Sequence, residues 1–281
     1  VVGTPDFIAP ECVQTAHLTK DDPQRVLPSI RTDEHALAVL IYMYLLYRHP
    51  LRGDKVHDVK DSQRDESLMM GEGALFIEHP TDHSNRINVA YVKASELPWK
   101  DTQKLPYTLT GCYLSPLFDR AFIDGLHQPH LRPSADEWEQ ALVKTVDLIQ
   151  PCVNPDCEQK WYVFANSIKP ICPFCHTPFI GQLPVLNLYS ASQQGRFLPD
   201  NQRLMVYNNQ SLYQWHSNKF VFPNERLTAE QKRRVGYFVF HQQQWYLVNE
   251  ALPDLMNVST KQAIVIGDKV ALIDGLQLLL S

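Results

Sequence analysis

The sequence predicts a multidomain α+β protein with a helical first half, a short cysteine-rich segment and a β-rich last third. In the first half, apolar residues recur at helical spacing over 35–47 and 135–149. Two cysteine pairs follow, and short runs of β-branched and aromatic residues between turn residues occupy the remainder. We therefore predict three domains, at 1–150, 151–182 and 183–281.

The composition limits the possible classes. A chain of 281 residues with 44% hydrophobic residues is long enough for two or three domains with real cores. Its net charge of −5 provides no overall attraction to nucleic acid. The apolar run 36–47 is too short to span a bilayer and predicts a buried helix, so we expect no membrane association. Cys12 and Cys112 are isolated thiols that suit a reducing compartment, which predicts a cytoplasmic protein.

The second helix has a recognisable start. Ser134 follows a proline and precedes Asp136 and Glu137, which is typical of a hydroxyl cap with acids in the first turn. The apolar residues then repeat every three to four positions and form one face: Trp138, Leu142, Val146 and Ile149. The polar stretch 52–106 between the two helices predicts loops with short helices.

Two cysteine pairs have the spacing of a zinc ribbon: Cys152 with Cys157, and Cys172 with Cys175. Two such knuckles facing each other supply four thiolates to tetrahedral Zn²⁺. The first pair encloses four residues, where ribbons more often have two. The same pattern could also be four unrelated buried thiols, or two disulfides in a secreted protein. A four-sulfur site has no open coordination position, so the zinc would be structural.

The last third contains many short β-rich runs. Residues 208–209 and 242–244 read as turns between them, and Thr228 could cap one short helical turn over 225–231. Short strands at regular intervals predict a C-terminal β-sandwich. His216 could be a metal ligand, but we expect a hydrogen-bonded histidine because four cysteines are already present.

Three fragments of the first half resemble motifs of eukaryotic-type Ser/Thr protein kinases. Residues 3–11, GTPDFIAPE, resemble the end of the activation segment, and 32–39, TDEHALAV, resemble the buried helix that follows it. Residues 130–135, HLRPSA, resemble the late motif whose arginine pairs with the glutamate of Ala-Pro-Glu. Their order and spacing imply a helical protein-kinase-like C-lobe.

The resemblance implies roles for four residues. Glu11 and Arg132 would form a buried ion pair, Asp33 would hold the catalytic-loop backbone, and Thr4 would help to position substrate. From the residues alone, Glu11 and Arg132 could be surface charges, and Asp33 could be a helix N-cap.

The motifs that bind ATP and transfer phosphate do not occur in this sequence: the Gly-rich loop, the strand Lys, the His-Arg-Asp loop and Asp-Phe-Gly. The family would place them before Val1, so the chain resembles the C-terminal portion of a longer kinase-like protein. We expect no catalytic residues here, and ATP and Mg²⁺ would belong only to an intact parent kinase.

Residues 71–80, GEGALFIEHP, with Asn85 and Arg86 after them, resemble a bacterial subset of these kinases. That subset is encoded in tellurite-resistance-associated triads with a von Willebrand A protein and a metal-dependent Ser/Thr phosphatase. The resemblance implies these two proteins as partners. An ordinary surface insertion is the alternative.

The β-rich end resembles a forkhead-associated domain, through WYLVN at 245–249 and VALIDG at 270–275. Such domains bind phosphothreonine through loop Arg, Ser and Asn or His residues. The Ser-x-x-His of the family is absent here, and Arg234 stands near its place. Arg234 could contact a phosphate or belong to a solvated basic face.

The expected function is the regulatory and docking part of a Ser/Thr protein kinase-like signalling protein, unable to transfer phosphate alone. Two alternatives remain at this level. The chain could be the substrate-positioning half of an active ATP-dependent kinase, or its ribbon could bind nucleic acid, as Lys160-Trp161-Tyr162 would allow. Nucleic acid is the weaker option because the ribbon and its flanks are sparsely basic.

Overall fold

The computed structural model describes residues 4–165, 167, 169–193 and 195–280. Gly3, the first residue of the activation-segment-like stretch, lies outside the described residues. The fold is a mixture of helix and sheet, and it divides into two compact units: Val1–Thr145 with Pro173–His176, and Val146–Cys172 with Thr177–Ser281. The domain boundaries at 150 and 182 stay a prediction.

The first unit is helical, with irregular connections. Its helices are α1 Pro10–Gln14, α2 Ile30–Leu46, α3 Ser62–Met70, α4 Ser115–Asp119 and α5 Ala135–Val146. A π-helical turn, Arg120–Asp124, continues α4. Single 3₁₀ turns occupy the connections: Pro5–Phe7, Val89–Tyr91, Ala94–Glu96, Tyr107–Thr110 and Pro129–Leu131. The expected loops with short helices over 52–106 are confirmed.

Helix α2 forms the centre of this unit. Ser29 is its N-cap, and the side chains of Ser29 and Thr32 form a reciprocal capping box. The expectation that Asp33 caps this helix is wrong, because Asp33 lies inside the first turn and is exposed. One face of α2 packs into a core of aromatic and aliphatic side chains that includes Tyr42, Phe76, Phe118, Phe122 and Trp138. Burial of this apolar face stabilises the helix in place.

Helix α5 begins as expected. Ser134 Oγ accepts from the Glu137 backbone N–H at 3.4 Å, and Glu137 Oε2 accepts from the Ser134 backbone N–H at 2.9 Å. The helix ends at Val146 rather than Ile149, because Ile149 begins a strand that pairs with a later segment. Backbone pairing with distant residues therefore overrides the local helical periodicity.

The described residues of the second unit form strands in separate sheets: β1 Ile149–Pro151, β2 Trp161–Val163, β3 Val185–Gln193, β4 Arg196–Met205, β5 Ser211–Tyr213, β6 Arg234–His241, β7 Gln244–Asn249, β8 Met256–Asn257, β9 Gln262–Ala263, β10 Lys269–Ala271 and β11 Leu278–Leu279. Antiparallel pairing gives the orders β1-β2, β3-β4, β10-β7-β6-β5 and β11-β8-β9. One short helix, α6 Gln214–Ser217, follows β5.

The hairpin β6–β7 shows why this region folds as sheet. Buried and less buried residues alternate along both strands, and Phe240 pairs with Trp245 across the turn. Gln242 and Gln243 both adopt positive φ, as a two-residue hairpin turn requires, so the expected turn is confirmed. Residues 225–231 form no helix: the reciprocal bonds of Thr228 and Gln231 close a turn instead.

Within the described part of the chain, no helix combines the length and the apolar character that crossing a bilayer requires.

Candidate metal centre and buried ion pairs

The four paired cysteines come together in one cluster. Their sulfur atoms all lie within 4.8 Å of one another, and those of Cys157 and Cys172 are 3.8 Å apart. A disulfide would require about 2.05 Å. Four sulfurs at about 2.3 Å from a central ion would be about 3.8 Å apart along each tetrahedron edge. The spacing of the cluster therefore fits four metal-bound thiolates better than disulfides.

The local backbone explains how the cysteines are held. The hairpin β1–β2 flanks the first pair, and the Cys152 N–H donates to Lys160 O at 2.7 Å. The second pair lies in a turn closed by the Cys172 N–H, which donates to Thr177 O at 3.0 Å. Lys160 and His176, placed just after each pair, have φ of 55° and 58°. Both residues lie in the left-handed region, where the chain turns sharply.

The cluster is half enclosed by protein. Cys157 and Cys172 are buried, whereas Cys152 and Cys175 are partly exposed. The Asn154 N–H donates to Cys152 Sγ at 3.4 Å. Thiolates select soft and borderline ions, so the donor set suits Zn²⁺, iron or Cu⁺ and does not suit Mg²⁺ or Ca²⁺.

The second site brings Glu11 and Arg132 together. The two guanidinium NH groups donate to the two carboxylate oxygens at 2.7 and 2.8 Å in a bidentate pair. The Arg132 side chain is 1% exposed and that of Glu11 is 19% exposed. This contact contradicts the alternative that Glu11 and Arg132 are separate surface charges.

Arg132 uses all five of its N–H groups. Besides Glu11, it donates to the carbonyl oxygens of Gly125, Leu126 and Arg31 at 2.9, 3.0 and 2.8 Å. Gly125 is required for this packing, since a Cβ there would lie 2.9 Å from Arg132 Cγ and 2.7 Å from a backbone oxygen. One guanidinium thus joins α1, the start of α2 and the turn before α5.

No protein-family model, curated protein or solved structure matches this chain. Asp33 is exposed near the start of α2, and Thr4 is exposed before the turn Pro5–Phe7, where its side chain makes no capping bond. The roles implied for both in a kinase stay predictions.

Arg234 lies at the start of β6 and is already paired. Its guanidinium donates to both carboxylate oxygens of Glu250, at 2.7 and 2.8 Å, and stacks over the Tyr237 ring at 4.5 Å. A phosphate at this position would have to compete with a carboxylate. Asn249, part of the forkhead-like motif, is fully buried, and its side-chain amide bonds to the backbone of Leu252 and Ile264.

A buried ion pair outside the expected set involves Arg48 and Glu78, whose side chains are 1% and 7% exposed and 2.7 Å apart. Tyr42 Oη donates to the same carboxylate, and burial together with Glu78 raises the pKa of Tyr42 well above its ordinary value. Arg48 also donates to the carbonyl oxygens of Trp99 and Leu105. In the sequence, Arg48 follows an apolar run and gives no sign of burial.

Two histidines differ in their bonding. His216 accepts from the Tyr213 N–H at 3.0 Å and contacts Asp147 Oδ1 at 3.2 Å, so the expectation of a hydrogen-bonded histidine is confirmed. His35 is 1% exposed, and neither ring nitrogen has a hydrogen-bond partner among the described residues. Burial, with nearby Arg132, lowers the pKa of His35 to about 3. Burial therefore favours the neutral form of this ring.

Proposed function

We propose that this chain is the C-terminal regulatory and docking part of a Ser/Thr protein kinase-like signalling protein. The bidentate contact of Glu11 with Arg132 carries the proposal. It joins the acid of the Ala-Pro-Glu-like stretch to the arginine of the late motif, as the family pattern requires. The Arg31 carbonyl, at the start of the helix between them, binds the same guanidinium.

In this proposal the helical unit is the kinase-like C-lobe and serves as a platform. The activation-segment-like turn Pro5–Phe7 is fixed by Arg52, which donates to Asp6 Oδ1 at 2.5 Å and to Glu66 at 2.6 Å. Such anchoring supports a fixed surface beside Thr4. The alternative, a substrate-positioning half of an active ATP-dependent kinase, uses the same surface.

The cysteine cluster would hold a structural zinc ion as a ribbon. Four sulfurs leave no open coordination position, so the ion would stabilise the fold and supply no catalysis. The β region would be a degenerate forkhead-associated-like sandwich used for docking. Because Glu250 already pairs with the Arg234 guanidinium, we propose that the β region docks proteins without a requirement for phosphate.

The proposed partners are a von Willebrand A protein and a metal-dependent Ser/Thr phosphatase, in the cytoplasm. Capture of the full chain by each immobilised partner tests this proposal. The Arg132→Met variant would show whether the platform is needed, and a variant with all four clustered cysteines changed to Ser would test the ribbon. Arg64→Met, which changes an exposed arginine, is the matched control.

We expect both partners to retain the wild type and the control. The variant that weakens capture identifies the docking unit, provided that its circular dichroism matches the wild type. Failure of the folded wild-type chain to bind either partner would overturn the docking proposal. Salt-sensitive retention of single-stranded DNA through exposed Trp161 would favour the nucleic-acid alternative instead.

A further inference from the structure

A cavity of about 310 Å³ lies within the first unit, and neither Glu11 nor Arg132 is among its lining residues. One part of its lining consists of Glu78, Pro80 and Arg86. The turn after Trp99 supplies Thr102, Gln103, Pro106 and Tyr107. The volume is that of a small-ligand pocket.

Three polar side chains of this lining have unused hydrogen-bonding capacity. Among the described residues, nothing pairs with the Arg86 guanidinium, the Thr102 hydroxyl or the Gln103 side-chain amide. Thr102 as a residue is 7% exposed, Arg86 is half-buried and Gln103 is exposed. These three groups are therefore available to donate hydrogen bonds to a ligand that enters the cavity.

The carboxylates near the cavity are already occupied. Glu78 accepts from Arg48 at 2.7 Å, and its other oxygen accepts from the Tyr107 N–H at 2.9 Å. Asp101 Oδ1 accepts from the N–H groups of Gln103 and Lys104, both at 3.1 Å. Their ion pairs are with Arg48 and Lys104, so neither acid pairs with Arg86.

The backbone beneath Arg86 is held firmly. Its neighbour Asn85 is 2% exposed and donates through Nδ2 to Leu51 O at 2.9 Å and Leu75 O at 2.6 Å. Gly53 packs so closely on this segment that a Cβ would lie 1.7 Å from Asn85 O. A rigid support reduces the entropy lost when the arginine binds a ligand.

We propose that this cavity binds the oxyanion group, a carboxylate or a phosphate, of a small molecule. Arg86 supplies the charge and a planar pair of donors, whereas Thr102 and Gln103 supply neutral donors. Pro80 and Pro106 form apolar contacts with the rest of the ligand. The site is independent of the proposed docking function, since it uses none of the residues that carry that proposal.

Titration calorimetry of the full chain tests the site with two probes, inorganic phosphate and acetate. We expect saturable millimolar binding of at least one probe. Arg86→Gln should weaken it at least about tenfold, because a charge-assisted pair is lost, and Thr102→Val about threefold. Arg64→Gln, a change at an exposed arginine, should leave the affinity unchanged.

Binding of phosphate alone or acetate alone supports the proposal and identifies the anion. Equal affinities for the wild type and Arg86→Gln, with both folded by circular dichroism, would overturn it, as would no saturable binding to the wild type. If Arg86→Gln unfolds, Thr102→Val and Gln103→Ala provide the same comparison, and unchanged affinity in both would overturn the proposal.

Discussion

Glu11 and Arg132 stand 121 positions apart in the chain, yet their side chains meet through two parallel hydrogen bonds. The carboxylate and the guanidinium are both largely withdrawn from water, so each depends on the other.

Replacing Arg132 by Met should lower the free energy of unfolding by about 3 kcal/mol, because Glu11 and three carbonyl oxygens lose their donor. The partial exposure of Glu11 places the loss at the lower end of the usual range for buried pairs. Urea denaturation measures it. Arg64→Met should change stability by less than about 0.5 kcal/mol, and similar losses in the two variants would contradict a buried role for Arg132.

Purified chain should contain stoichiometric zinc by elemental analysis. Cys172→Ser should lose most of it, because Cys172 is a buried member of the cluster. Cys112→Ser, which changes an exposed cysteine outside the cluster, should retain zinc at the wild-type level. Equal zinc content in both variants would exclude the cluster as the binding site, and iron in place of zinc would correct the identity of the metal.

His35→Leu should leave stability unchanged or raise it by up to about 1–3 kcal/mol, since it removes two buried nitrogens without partners. His49→Leu should be destabilising, because His49 Nε2 contacts Asp6 O at 2.9 Å and Nδ1 accepts from the Leu51 N–H at 3.1 Å. Thermal unfolding compares the two variants. A larger loss for His35→Leu would reveal a partner for that ring.

The pKa of His35 also gives a pH dependence. Between its ordinary value of 6.5 and about 3, the unfolded chain binds a proton that the folded chain does not. The wild type should therefore lose stability relative to His35→Leu as the pH falls through this window. A constant difference between pH 7 and pH 4 in urea titrations would contradict the burial of a neutral ring.

Glu137 gives a dependence of the same sign in a lower pH window. Hydrogen bonds from Arg120, then from the Ser134 backbone, lower the pKa of this carboxyl from 4.5 to about 2. Its contribution is present above pH 4.5 and is lost as the pH falls toward 2. The advantage of the wild type over Glu137→Gln should shrink across that window, although the side chain is 43% exposed and solvent screens the effect.

The features that the sequence predicted correctly depend mostly on neighbours in the chain. The periodicity of α2, the capping of α5 by Ser134 and the hairpin turn at Gln242 each follow from local spacing and side-chain chemistry. The cysteine cluster was predictable because two short spacings determine its ligands.

The features that the sequence missed depend on distant partners. Helix α5 ends at Val146 and not at the predicted Ile149, because Ile149 pairs with β2. The N-cap of α2 is Ser29, whereas the sequence also allowed Asp33 in this role. Arg48 gave no sign of burial, since its acceptors lie 30, 51 and 57 positions further along the chain. The open donors of the Arg86 cavity are likewise visible only when these segments are assembled.

Arg48 anchors the irregular stretch that follows α2 at three points. Its buried guanidinium binds Glu78, Trp99 and Leu105. We therefore expect this stretch to open only when the helical unit itself opens. Proteases that cut flexible loops should therefore spare it, although little of it is regular helix and none is strand in the structure described. Lack of regular secondary structure is here compatible with resistance to digestion.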